Sequence, residues 1–290
     1  MPEPDASALV DAHHHLWNLE RRPQPWLDEP ALAPIRRSFT LADLAADTTR
    51  AIAGHRLRTT VVVQCLTSLP ETEELLVLAE REPLVGAVVG WTDLTDPGIG
   101  DTLDALLAGP GGPYLRSLRH LVQGESAPGW LQRPDVTRGL RAVLERDLAY
   151  DVLVYAHQLP SAVKLAEDHP DLPLVLDHAG KPSVADGELG EWERQIRRLA
   201  AQPQVTCKVS GLVTEADWAA WTTGDIRPVW EVLLSAFGPE RLMFGSDWPL
   251  CQLAGGWGRW AATVEELLQD CSPGERAAVL GGTATRFYRL

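Results

Sequence analysis

Short apolar runs rich in β-branched residues recur along the whole chain, and between them the apolar residues switch to helical spacing. The runs predict strands over residues 9–15, 59–65, 84–91, 117–121, 151–156, 172–178, 205–210 and 242–245. Helical spacing predicts helices over 41–53, 71–81, 101–107, 134–149, 162–168, 192–201 and 228–237. Thr40 is placed to cap the first of these, and Pro70 precedes a first turn carrying Glu71, Glu73 and Glu74. Strands that are apolar throughout, rather than alternating, belong to a parallel sheet covered on both faces. Eight such strands with helical crossovers are best satisfied by a distorted, closed (β/α)8 TIM barrel. A doubly wound open sheet would usually show a glycine-rich turn after its first strand, and none follows here.

Length and composition support one unit. The 290 residues show no abrupt compositional shift, no internal repeat and no polar linker, so a single domain over 1–290 is expected. The proline-rich stretch 22–34, which carries Trp26, reads as an ordered loop near the barrel mouth. A formal charge of −14 argues against nucleic acid and against an anionic membrane surface, leaving small molecules as partners. The acidic start 1–5 has no apolar segment of a secretory signal and no run suits a membrane span, so a cytoplasmic protein is expected. Cys65, Cys207, Cys251 and Cys271 are scattered without paired spacing, which predicts reduced thiols. With 11 tryptophans against 4 phenylalanines, Trp17, Trp91 and Trp248 stand just past predicted strand ends, where they could wall a pocket.

The chemistry-bearing residues gather at three strand ends. Asp11-Ala12-His13-His14-His15 closes the first, Asp177-His178 the sixth and Ser246-Asp247 the eighth. Strand alternation points His13 and His15 to one side and His14 to the other. In a barrel of this kind the active site lies at the C-terminal ends of the strands, so His13, His15, His178 and Asp247 face one mouth. Three imidazoles and a carboxylate are ligand types suited to one divalent metal, zinc before others, with a position left for water. Asp11, deeper on the expected face of His13 and His15, is assigned to supporting an imidazole. Each residue alone also suits a structural role, as a strand histidine or a turn cap; the joint pattern carries the assignment.

The chain resembles the amidohydrolase superfamily, in particular its lactonase branch, which includes L-fuconolactonase, L-rhamnonolactonase and 2-pyrone-4,6-dicarboxylate lactonase. The matching segments, in chain order, start at Val10-Asp11-Ala12-His13-His14-His15-Leu16-Trp17 and Val61-Val62-Val63-Gln64. They continue through Val89-Gly90-Trp91-Thr92-Asp93-Leu94, Arg119-His120-Leu121-Val122-Gln123 and Leu176-Asp177-His178-Ala179-Gly180-Lys181-Pro182. Cys207-Lys208-Val209-Ser210-Gly211-Leu212 and Met243-Phe244-Gly245-Ser246-Asp247-Trp248-Pro249 complete the set. By that resemblance His13, His15 and His178 bind a metal or polarise the lactone carbonyl, and Asp247 is the acid/base. The branch lacks the bridging Lys or Glu of binuclear amidohydrolases on its fourth strand, where this chain has Arg119 and His120, so catalysis without metal stays open. His157 stands where the branch frequently has an arginine-like residue, and could be a further ligand, a substrate contact or an ordinary turn residue.

The resemblance implies a carboxylic ester hydrolase that opens a sugar-acid lactone of the L-fucono or L-rhamnono type. Gln64, Arg119, His120 and Lys208 are the candidate partners of its hydroxyls or carbonyl, joined by His157, and Trp91 and Trp248 are candidates to stack on its ring. An amide hydrolase or decarboxylase of the same superfamily would use the same set. A third reading is a sugar-acid-binding protein without catalysis. A homo-oligomer is compatible with the sequence.

Overall fold

A computed structural model describes residues 8–127 and 129–290. Eight parallel strands follow one another around the sheet in chain order. They are β1 (Ala8–His14), β2 (Arg56–Val63), β3 (Val85–Gly90), β4 (Leu115–Leu121), β5 (Ala149–Leu153), β6 (Leu174–Leu176), β7 (Val205–Val209) and β8 (Leu242–Phe244). Each crossover carries a helix: α1 (Leu41–Asp47), α2 (Leu69–Arg81), α3 (Ile99–Ala108), α4 (Pro134–Leu144), α5 (Leu159–Asp168), α6 (Gly190–Ala200) and α7 (Thr223–Phe237). After β8 come α8 (Gly256–Leu267), α9 (Pro273–Ala277) and α10 (Thr283–Tyr288). The seam between β8 and β1 is joined by two backbone bonds, from Asp247 N to His13 O at 2.8 Å and from His15 N to Trp248 O at 2.7 Å. This is the expected (β/α)8 barrel, and the seam falls at the chemistry-bearing residues.

The strands are buried on both faces, as their continuous apolar character requires. One core lies between strands and helices and includes Leu9, Val62, Val88, Leu118 and Leu176. A second fills the barrel with Val10, Ala12, Val61, Val63, Ala87, Val89, Val175 and Met243, packed against Ala284 and Tyr288 of α10. The expected cap is present: Thr40 accepts from Asp43 N and forms a reciprocal box with the Asp43 carboxylate.

Several boundaries move for local reasons. The first helix stops at Asp47 rather than continuing to residue 53: Thr48 leaves the helical region at φ −90° and ψ 31°, and Ala53 and Gly54 then take positive φ in a tight turn before β2. The expected helix 134–149 ends at Leu144, and Asp147, with φ 56°, turns the chain into β5. The sixth strand is only three residues long, so Asp177 and His178 lie in the turn beyond it rather than within the strand. Pro228, expected at a helix start, sits inside α7, whose true start carries a Thr222–Asp225 capping box. The three helices after β8 were not expected from spacing. The loop 22–34 is ordered as short 3-10 turns at Pro25–Asp28 and Pro30–Ile35.

Candidate active site

The first strand delivers two histidines to the mouth through an irregularity. Its register with β2 gains one residue between Asp11 and His14, the mark of a β-bulge. Val10 and Ala12 point into the barrel. The extra residue lets His13 point there as well, while His14 turns outward to Thr60 Oγ1 at 3.0 Å. The bulge also corrects the placement of Asp11, which falls on the alternate face and touches no imidazole. Its carboxylate accepts from Ser246 N (2.8 Å), Ser246 Oγ (2.5 Å) and His13 N (3.1 Å), tying β1 to the turn that carries Asp247.

His178 and Asp247 sit in strained backbone. His178, Ala179, Gly180 and Lys181 form a run at φ 53°, 52°, 68° and 51°, and Asp247 has φ 54°. Left-handed conformations at non-glycine residues are costly and concentrate at functional sites. Gly211, at φ 60°, passes so close that a Cβ would lie 2.5 Å from His178 Nδ1 and 3.0 Å from Asp247 Oδ2. Only glycine admits both the conformation and the approach.

Four side chains converge. His13 Nε2 and His15 Nε2 are 3.2 Å apart, and Asp247 Oδ1 lies 3.5 Å from His15 Nε2 and 3.9 Å from both His13 Nε2 and His178 Nε2. Asp247 Oδ1 is buried and has no hydrogen-bond partner. A tetrahedral metal with ~2.0–2.1 Å bonds separates its ligand atoms by roughly 3.3 Å, close to these spacings. His13, His15 and Asp247 form one compact three-ligand set, with His178 beside it across Asp247; His13, Asp177 and His178 form a second, in which Asp177 is already paired with Arg119 and Lys208. The opposite ring nitrogens are held. His15 Nδ1 donates to Val63 O at 2.8 Å, leaving its Nε2 lone pair toward the site. His178 Nδ1 meets Ser210 Oγ at 2.9 Å, and a hydroxyl can accept from or donate to it. The donor set therefore fits a divalent metal.

Charge states follow from burial. Burial pushes the Asp247 carboxyl up, but the neighbouring His178 and His15 more than offset it and hold it below the usual carboxylate range. Burial lowers His178 to about 4 and His13 well below the ordinary histidine value. At neutral pH the His13 and His178 rings are neutral beside an ionised Asp247.

Beneath the histidines, Arg119 donates from Nη1 to Asp177 Oδ2 at 3.0 Å, and from Nη2 to Gln64 O at 2.5 Å and Gln64 Oε1 at 3.1 Å. Its Nη1 also lies 3.3 Å from His13 Nε2. Above the site opens a cavity of about 380 Å3 lined by His15, Trp26, Arg119, His178, Lys181 and Asp247, with Leu66, Leu121, Leu153 and Leu250 among its apolar walls. A larger groove of about 680 Å3 between the loop after β1 and helices α1 and α2 is lined by none of the histidines.

Of the residues expected from the sequence to contact substrate, Arg119 alone lines this cavity, together with Trp26 of the proline-rich loop. Gln64 is fully buried and spent on Arg119. Lys208, whose direction the sequence left undecided, points inward and is paired below the site with Asp151 and Asp177. Trp91 donates to His120 Nδ1 at 3.1 Å, while His120 stacks on Trp130 and meets Glu125. These residues line a separate cleft of about 460 Å3. Trp248 is fully buried, bonded to Asp47 and packed on Phe39, because the strand-end turn directs it outward to the α1 side. His157 is exposed on a 3-10 turn beside Tyr155. Sequence reasoning missed Ser210 and Lys181 and singled out Asp177 without giving it a role; all three stand in the segments quoted above for the resemblance. Among the described residues no helix is long and apolar enough to cross a membrane.

L-fucono-1,5-lactonase of Burkholderia multivorans is 39% identical over 97% of this chain and 96% of its own, and that of Burkholderia ambifaria is 36% identical over 97% and 95%. A crystal structure of a Burkholderia multivorans amidohydrolase with bound zinc superposes with a TM-score of 0.89, at 37% identity over 98% of this chain and 99% of that one. A putative 2-pyrone-4,6-dicarboxylic acid hydrolase from Pseudomonas putida, at 21% identity and TM-score 0.76 over 98% of both chains, shares the fold. The amidohydrolase family profile matches residues 10–290, and the chain belongs to that family.

Proposed function

We propose that this protein is a lactonase that opens a sugar-acid lactone of the L-fucono-1,5-lactone type to the aldonic acid. The observation that carries the reading is the ionised, unpartnered Asp247 Oδ1 facing three histidine Nε2 atoms at the floor of a sugar-sized cavity. The identity of 36–39% to two L-fucono-1,5-lactonases along nearly the whole chain supports the substrate class.

A lactone is a cyclic ester, so its hydrolysis needs an activated water, a stabilised oxyanion and a proton for the departing ring oxygen. Asp247 starts ionised and takes the proton of the attacking water, then delivers it to the ring oxygen as the bond to the carbonyl carbon breaks. Arg119, fixed by Asp177 and Gln64, places positive charge next to the carbonyl oxygen as it becomes an oxyanion. Trp26 and the leucine walls exclude water from the ring. His13, His15 and Asp247, with His178 adjacent, would hold a divalent metal, zinc before others, which when bound polarises the carbonyl and acidifies water.

A metal-free route has one observation in its favour: Ser210 can donate to His178 Nδ1, which leaves Nε2–H to donate to the oxyanion. Activity after exhaustive chelation distinguishes the two. The test of the function is a pH-indicator screen of aldono- and aldarolactones with the spontaneous rate subtracted. Turnover of an aldonolactone is expected; turnover only of an amide, or release of carbon dioxide from a carboxylate, would replace this reading.

A further inference from the structure

The barrel interior below the histidines holds charges that no step of the hydrolysis uses directly. Lys208, fully buried, places Nζ 2.6 Å from Asp151 Oδ2, 3.0 Å from Asp177 Oδ1 and 3.2 Å from His13 Nδ1. Asp177 Oδ1 itself lies 3.3 Å from His13 Nδ1. Asp151 is held from two further sides, by Ser117 Oγ on Oδ1 at 2.5 Å and by the Tyr288 hydroxyl on Oδ2 at 2.8 Å. Tyr288 is a fully buried residue of α10, far from the mouth in sequence and packed against the inner cluster. Polar contacts thus run without a gap from α10 through Asp151, Lys208 and Asp177 to His13.

Burying paired charges is costly, and apolar residues of similar volume commonly serve stability as well or better. This barrel uses apolar residues elsewhere: the inward positions of β2 and β3 are Val61, Val63, Ala87 and Val89. The charges occupy β4, β5 and β7 and the turn after β6, on the side where His13 needs a partner for Nδ1. A network built for stability has no reason to end on a ring nitrogen of the site; one built to fix that ring does.

We propose that Tyr288 is a positioning residue for the hydrolysis, acting through Asp151 and Lys208 on Asp177 and through them on the ring of His13. The inference rests on the lactonase reading. The Tyr288 and Ser117 hydroxyls share the Asp151 carboxylate with Lys208, so the ammonium is held between Asp151 and Asp177. Removing the Tyr288 hydroxyl frees a lone pair of Asp151 Oδ2, draws the ammonium toward β5 and weakens its hold on Asp177 Oδ1. That oxygen is the one facing His13 Nδ1, so the ring loses its fixed orientation and its fixed proton position.

The test is Tyr288→Phe, which keeps the ring and its packing. In lactone assays kcat is expected to fall about tenfold, the lower range for loss of a partner behind a site histidine, with KM unchanged. The His13 ring signals in 15N–1H spectra, assigned against His13→Gln, are expected to shift while the urea midpoint stays near that of the unmodified protein. Ser117→Ala approaches the same carboxylate from β4, and its loss of kcat should combine less than additively with that of Tyr288→Phe. An unchanged kcat, strictly additive losses, or unmoved His13 signals would overturn the proposal. So would lost stability with kcat intact, which assigns Tyr288 to packing. If Tyr288→Phe does not fold, Ser117→Ala decides by the same kcat and ring-signal readouts. If the unmodified protein opens no lactone, the functional reading fails on its own, and the ring signals still judge the coupling.

Discussion

Asp247 Oδ1 stands 3.5 Å from His15 Nε2, beyond the ordinary range of an N–H···O bond, although both residues are buried and His15 is oriented from behind by Val63 O. Buried carboxylate oxygens are seldom left without a partner. The spacing is close to that of two ligand atoms on one tetrahedral ion, roughly 3.3 Å, and an unpartnered carboxylate oxygen is also free to take a proton from water; both readings make Asp247 the centre of the proposed chemistry.

Asp247→Asn keeps the volume and the backbone turn while removing the base. Turnover of the lactone is expected to fall by about 10²–10⁴-fold, the usual worth of a general acid–base group, with circular dichroism and the thermal midpoint close to those of the unmodified protein. Turnover at the unmodified rate would remove Asp247 from the reaction.

Metal content gives an independent check. Protein stripped with chelator and dialysed against zinc is expected to retain one equivalent per chain by elemental analysis, and His15→Ala to lose most of it, because the compact ligand set has three members. Equal zinc retention by both proteins would place any bound zinc elsewhere.

Gly211→Ala should damage site and fold together. The new Cβ would meet His178 Nδ1 at 2.5 Å in a backbone at φ 60°. A cost of about 1–3 kcal/mol is expected in urea unfolding, together with loss of turnover as His178 is displaced. Gly258→Ala, on α8 with open space around it, is the control and should be neutral or slightly stabilising.

Acid stability follows from His14. Burial lowers its value from 6.5 to about 3, so between those values the unfolded chain binds a proton that the folded chain does not. The unfolded state carries more protons there, and stability rises with pH. This contribution is complete above about 6.5 and is lost as pH falls toward about 3. Urea midpoints measured from neutral pH into that window should decline for the unmodified protein. The decline should be shallower for His14→Gln, which can still reach Thr60 but does not titrate. Parallel curves would refute the assignment.

The residues of the proposed chemistry were legible because they stand in short motifs at strand ends, where barrel topology alone assigns a common face. The exceptions have physical causes. The bulge in β1 shifts the parity of alternation, so Asp11 could not be placed by counting. Trp248, Gln64 and His120 look like ligand contacts in one dimension, but each has its hydrogen-bonding capacity taken by other side chains: Asp47 and Arg119, both distant in sequence, and for His120 the distant Trp91 with the nearby Glu125. Lys208 was ambiguous because the acids that make an inward ammonium tolerable, Asp151 and Asp177, lie on neighbouring elements rather than beside it in the chain.

By itself the sequence determined the barrel, the order of its strands, the family resemblance and the four residues at the mouth, since period, spacing and strand-end position are local properties. Tertiary structure decided which nitrogen of each histidine faces Asp247, which polar side chains are spent on one another, and that α10 returns beneath the site to reach Asp151. Those outcomes depend on distances between residues far apart in the chain, and in a buried interior every donor and acceptor must find its partner among whatever the fold brings near.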